Sequence, residues 1–145
     1  MKIYVLGSNR FVKEMVAHAQ KLRDLGLDGW IHPDYEAFVK GEKMDIWTRA
    51  HAGEHVQVKI ENNYMKEHYN NILASDAILI INNEKDGKKN YIGPNVLMEM
   101  GQAYVNDKKI FLLNEVPFEV PHADEILTCE PICLYGDLGN IKKYK

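Results

Sequence analysis

The chain has 145 residues, of which 46% are hydrophobic, 27% charged and 10% aromatic, enough for one domain with a buried core. Such a composition excludes a disordered tail, a collagen-like fibre and a disulfide scaffold. Lys and Arg number 18 against 21 Asp and Glu, a formal net charge of −3 that disfavours a polynucleotide as partner, because duplex-binding domains carry a basic excess. The longest apolar runs are too short for a bilayer and the N-terminus shows no cleavable hydrophobic region, so a cytoplasmic protein without a membrane partner is expected.

Taken in order, the run Lys2 to Leu6 ends at Gly7 and reads as a first strand. From Phe11 to Leu25, the residues Phe11, Val12, Met15, Val16, Ala19 and Leu22 recur at helical spacing, and Gly26 stops the helix. Leu27 to Ile31 predicts a weaker strand ending before Pro33. Residues 33–63 show no sustained periodicity and read as a lid-like insertion of the kind that covers binding sites. Tyr64 to Ala74 predicts a helix leading into Ala77 to Ile81, apolar on both faces as a central parallel strand must be.

A loop then precedes a helix opened by Pro94 and running to about Asn106. Lys109 to Leu113 is another buried strand, and residues 116–124 are irregular. One helical turn at Glu125 to Leu127, an edge strand at Pro131 to Tyr135 and a short terminal helix complete the chain. The alternation predicts a single α/β domain over 1–145, a flavodoxin-like three-layer sandwich with a five-stranded, mainly parallel sheet. Cys129 and Cys133 would lie about 13 Å apart across a strand, too far to bridge, so both are expected as reduced core thiols.

In such a sheet the loops after the strand C-termini line the ligand crevice. Gly7, Ser8, Asn9 and Arg10 form a glycine turn feeding a helix, which offers backbone N–H groups, a hydroxyl and a guanidinium to an anion. Ser8 or Asn9 equally serves as a plain helix cap. The spacing is neither a Rossmann fingerprint nor a Walker A loop, and no cofactor is implied. His51-Ala52-Gly53-Glu54-His55 matches the inverted zinc-peptidase pattern, and a zinc hydrolase is one alternative; Gly53 interrupts the helix that pattern requires, so no metal is assigned.

On a helix opened by Pro94, the residues Asn95, Glu99 and Gln102 share one face. Glu99 would stand one turn in from the crevice, although most helical glutamates are simply solvated. Gly101 suggests close helix–sheet packing that holds Glu99 in place. Asn82 follows the central strand and is a candidate ligand contact with Gly93 and Asn95.

The segments I-Y-V-L-G-S, S-D-A-I-L-I-I and M-E-M-G-Q-A-Y followed by K-K-I-F-L-L stand in an order and spacing that resembles the nucleoside 2-deoxyribosyltransferase superfamily. That superfamily includes the deoxynucleoside 5′-monophosphate N-glycosidases. The resemblance implies a glutamate nucleophile at Glu99, a tyrosine orienting it at Tyr4, and a phosphate-holding loop at Ser8, Asn9 and Arg10. Where the family carries Asp or Ser six residues before the nucleophile, this chain has Gly93. Where it carries an assisting Asp, this chain has His68, a candidate general acid or a structural histidine. The expected function is cleavage or exchange of the base of a nucleoside or nucleotide, in a homodimer or higher homo-oligomer as in the family. The alternative from another class is a non-catalytic nucleotide-binding module on the same fold.

Overall fold

The computed structural model describes residues Met1–Lys145. Five strands form one sheet: β1 (Lys2–Gly7), β2 (Asp28–Trp30), β3 (Ala77–Ile81), β4 (Lys109–Leu112) and β5 (Ile132–Cys133). All pairings are parallel, in the spatial order β2-β1-β3-β4-β5. This is the flavodoxin-like order, with helices on both faces of the sheet. β1 and β3 pair from Ile3↔Ala77 to Gly7↔Ile81, so both strands end level with each other. The chain leaves β1 toward β2 on one side and β3 toward β4 on the other, which opens a crevice between their C-terminal ends.

Strand alternation divides the core in two. Ile3, Val5, Leu79 and Phe111 face Met15, Ala19 and Leu22 of α1 (Val12–Asp24), together with Leu138 and Ile141 of a C-terminal 3₁₀ segment. Tyr4, Leu6, Ile78, Ile80 and Leu112 face the opposite layer. That layer holds α5 (Tyr64–Leu73), α6 (Pro94–Val105) and α7 (Ala123–Thr128), once the helices of the insertion are counted as α2 to α4. The packing aims the Tyr4 ring at α5 and α6 and places Glu99 on the helix that starts beside the crevice. No helix is long and apolar enough to cross a membrane.

The insertion is the largest departure from the sequence expectation. It is helical almost throughout: α2 (Pro33–Val39), α3 (Met44–Arg49) and α4 (His55–Glu61). Left-handed Lys43 separates α2 from α3, a kink at Ala52 and Gly53 separates α3 from α4, and left-handed Asn63 precedes α5. Each helix has only six or seven residues, too few to show a hydrophobic period. Asp34 ties the insertion down, with Oδ1 accepting from Lys43 Nζ at 2.6 Å and Oδ2 from the Tyr64 hydroxyl at 2.6 Å. Desolvation works against its ionisation, but these two bonds hold the Asp34 carboxyl below the usual range. Cys129 and Cys133 are unbridged.

Gly101 does not make the close approach its position suggested. A Cβ there would meet nothing within 4 Å, whereas at Gly29 it would lie 2.5 Å from Leu22 Cβ and 2.9 Å from the Ala19 carbonyl oxygen. Gly29, not Gly101, is where helix and sheet touch through a missing side chain. Gly29→Ala should therefore lose about 1–3 kcal/mol in urea unfolding by overpacking. Gly101→Ala should gain about 0.5–1 kcal/mol from helix propensity alone.

Candidate functional site

A cavity of about 280 Å³ opens where β1 and β3 end. Its size is near the lower bound of small-molecule pockets, ~300 Å³. Gly7, Ser8 and Asn9 line it from the loop after β1, and Lys85 and Tyr91 from the loop after β3. Gly93, Asn95, Glu99 and Gln102 line it from α6 and its start. The roof is the insertion, which contributes Tyr35, Phe38, Trp47, His51, Val58 and Lys59, and α5 adds Tyr64 and His68.

One end of the cavity gathers free backbone N–H groups and a lysine. Gly93 caps α6 without a side-chain bond, Pro94 follows at the first helical position, and the first N–H to find an intrahelical partner is that of Leu97, on the Gly93 carbonyl at 3.0 Å. The N–H groups of Asn95 and Val96 therefore have no protein acceptor, at the positive end of a three-turn helix. Lys85 stands at the same end, its ammonium 4.6 Å from the centre of the Tyr91 ring. A Cβ at Gly93 would lie 2.7 Å from the Tyr91 hydroxyl, so that hydroxyl takes the space a larger residue would need. The other end is aromatic: Phe38 and Trp47 rings lie 5.2 Å apart, and His51 stacks on Trp47 at 4.0 Å with 30° between the planes.

Glu99 is the only acidic residue lining the cavity. It accepts no hydrogen bond from the protein, and desolvation, partly offset by the charge of Lys59, pushes its carboxyl up to about 8. It is therefore mostly protonated at pH 7 when the cavity holds no ligand. The Tyr4 hydroxyl does not meet Glu99. It lies 2.7 Å from His68 Nδ1 and accepts from Asn71 Nδ2 at 3.2 Å, behind the cavity wall. Burial raises the Tyr4 phenol well above its usual value despite the Asn71 bond, with a further push from the nearby Glu99.

His68 lines the cavity, but both its ring nitrogens face tyrosines: Nδ1 faces Tyr4, and Nε2 lies 3.4 Å from the Tyr35 hydroxyl. Desolvation, then the charges of His32 and Lys59, lowers its pKa from 6.5 to about 4. A protonated phenol donating to Nδ1 fixes the tautomer with hydrogen on Nε2. His68 is thus a neutral positioning group at physiological pH and a poor general acid.

Two further candidates stand outside the cavity. Arg10 pairs with Asp86 at 2.5 Å on the surface. Asn82 is fully buried, but Nδ2 donates to the Glu115 carbonyl at 2.9 Å and Oδ1 accepts from the Asn114 N–H at 2.9 Å. It latches the loops after β3 and β4 together and does not line the cavity. The His51 to His55 segment is also differently used. His51 Nδ1 lies 2.7 Å from the Trp47 carbonyl oxygen, and Glu54 pairs with Arg49 at 3.3 Å. No group of three or more His, Cys, Asp or Glu side chains is placed to hold a metal ion.

Tyr35, Trp47 and Lys59 sit on helices too short to show a period, and Tyr64 opens a helix that is legible but carries no sequence signal of its bond to Asp34. Gln102 was placed on the Glu99 face, and its Oε1 is the one buried side-chain oxygen or nitrogen in the molecule without a hydrogen-bond partner. A ligand N–H or O–H would remove that deficit.

The burial of Glu99 has a measurable consequence. Its folded pKa of about 8 exceeds the ordinary 4.5, so the unfolded chain releases this proton first as pH rises. The penalty grows between these two values and is complete above pH 8. Glu99→Gln should stabilise the protein by roughly 1–3 kcal/mol at pH 9 and by little at pH 4.5. Melting temperatures of both proteins across that range check it; an equal gain at both ends would place the effect elsewhere.

No protein-family model, curated protein or solved structure matches the chain.

Proposed function

We propose that the protein cleaves or exchanges the N-glycosidic base of a nucleoside or nucleotide, with Glu99 as the attacking carboxylate. The observation that carries this reading is a lone, partner-free carboxyl in a crevice with an anion-binding end and an aromatic end. A nucleotide presents matching parts in that order: phosphate, sugar and flat base. The N–H groups of Asn95 and Val96, the Gly7–Asn9 loop and Lys85 suit the phosphate. Trp47, Phe38 and Tyr35 suit the base. In this reading C1′ of the sugar stands at Glu99, which lines the same cavity.

A carboxylate that attacks C1′ forms a glycosyl ester as the C1′–N bond breaks, and water or a second base resolves it. Such a nucleophile must be ionised. A carboxyl with a pKa of about 8 makes base release rise with pH and level off above that value. His68 and Tyr4 support the wall beside Glu99 rather than take or give the proton. Met65 and Met98 are exposed where they line the cavity, and Tyr69 and Val105 are exposed further along α5 and α6, apolar surface that fits a homo-oligomer.

A second reading, a binding module that keeps the pocket without chemistry, is favoured by the protonated state of Glu99 at neutral pH. Chromatographic assay of free base from 2′-deoxynucleosides and their 5′-monophosphates, at pH 6 to 9.5, separates the two. The enzyme reading predicts base release that climbs through about pH 8 and falls at least ~10³-fold in Glu99→Gln. Undetectable release at every pH, with the same nucleotides raising the melting temperature, establishes the binding module instead.

A further inference from the structure

Lys59 enters the cavity from α4, and its side chain is half-buried there. Its ammonium makes no ion pair, no hydrogen bond and no contact with an aromatic face anywhere in the molecule. Of the other cations of this region, Lys43 is partnered by Asp34, Arg49 by Glu54 and Glu61, and Lys85 by the Tyr91 ring, while Lys40 and Lys66 are exposed to solvent. A ligand that brings an acceptor into the cavity would supply the partner this ammonium lacks.

The field of Lys59 falls on the two residues that matter most to base release, Glu99 and His68. A base departing from C1′ carries off the bonding electron pair and needs a proton or a positive charge at the nitrogen released. His68 supplies neither, since both ring nitrogens are engaged by Tyr4 and Tyr35. The Tyr4 and Tyr35 phenols are made weaker acids by burial. His51 and His55 sit at the exposed rim, and neither contributes to the charge felt by Glu99 or His68. Lys59 is the charged donor left beside Glu99.

We propose that Lys59 is the leaving-group residue of this cavity, its ammonium donating a hydrogen bond and then a proton to the base nitrogen as the C1′–N bond breaks. The assignment rests on the glycosyl-transfer reading above. In the first step the Glu99 carboxylate forms the C1′–O bond, the C1′–N electron pair passes to the base, and Lys59 becomes a neutral amine. In the second, water attacks C1′ and expels Glu99 as carboxylate. The proton lost by that water returns to Lys59, which closes the cycle with no other reactant.

The test compares leaving groups that differ in their need for an acid. N7-methylguanine departs from its deoxynucleotide as a neutral base without protonation, whereas the four common bases do not. Base release is measured for wild type, Lys59→Met and Lys59→Arg on the four common 2′-deoxynucleoside 5′-monophosphates and on the N7-methylguanine one. Lys59→Met should lower kcat about 10²–10³-fold on the common substrates and less than about 5-fold on N7-methylguanine, with Lys59→Arg recovering part of the loss. Equal loss on all five substrates, no loss on any, or a rise in KM alone would overturn the assignment while leaving Glu99 chemistry intact. A rise in KM alone marks Lys59 as an anion anchor. Absence of release by the wild type on every substrate removes the base-release reading itself, and the role of Lys59 with it.

Discussion

The Glu99 carboxyl stands half-buried in the cavity with no protein group donating to it, and much of the molecule is arranged around that position. The strand order reverses between β1 and β3, so the crevice forms there and α6 begins at its edge. One helical turn from that edge brings position 99 into the cavity. Desolvation of the carboxyl then raises its pKa, and in the proposed reaction that pKa sets the pH at which it would attack carbon. A solvated glutamate at the same position would be ionised at neutral pH but also screened, hydrated and less reactive.

The surroundings of this carboxyl act at two distances. Lys59 acts directly, as the one charge that lowers the pKa of Glu99. Tyr4, His68, Tyr35 and Asn71 act at one remove, as a neutral hydrogen-bonded set that fills the wall between α5 and the sheet. Behind them, Asp34, Lys43 and Tyr64 hold the roof down, and His32 bonds to Glu67. Asp34, Lys43, Arg49, Glu54 and Glu61 around the insertion are thus paired with one another, whereas Lys59 and Glu99 in the cavity form no ion pair.

The sheet was legible because buried parallel strands are written as uninterrupted apolar runs, and A-I-L-I-I at 77–81 admits little else. Gly93-Pro94 announced the start of α6, and the helical period that follows put Asn95, Glu99 and Gln102 on one face, where all three line the cavity. The insertion was not legible, since its helices are shorter than two turns and are joined at Lys43, Gly53 and Asn63 by backbone that breaks any period. Roles that depend on which neighbour a side chain meets were equally hidden. Asn82 turns to the backbone of Asn114 and Glu115, and Arg10 turns to Asp86, although both were placed by sequence at the mouth of the crevice. At Gly93 the Tyr91 hydroxyl occupies the room a side chain would take.

The proposed reaction requires Glu99 to bond to the sugar carbon. Its most direct test is acid quenching during turnover at pH 9, where the carboxyl is ionised, followed by peptide mass spectrometry. The account predicts a glycosyl ester on the peptide that contains Glu99, located on that residue by fragmentation and missing from Glu99→Gln. Turnover that leaves no sugar on this peptide, or that proceeds unchanged in Glu99→Gln, would contradict it.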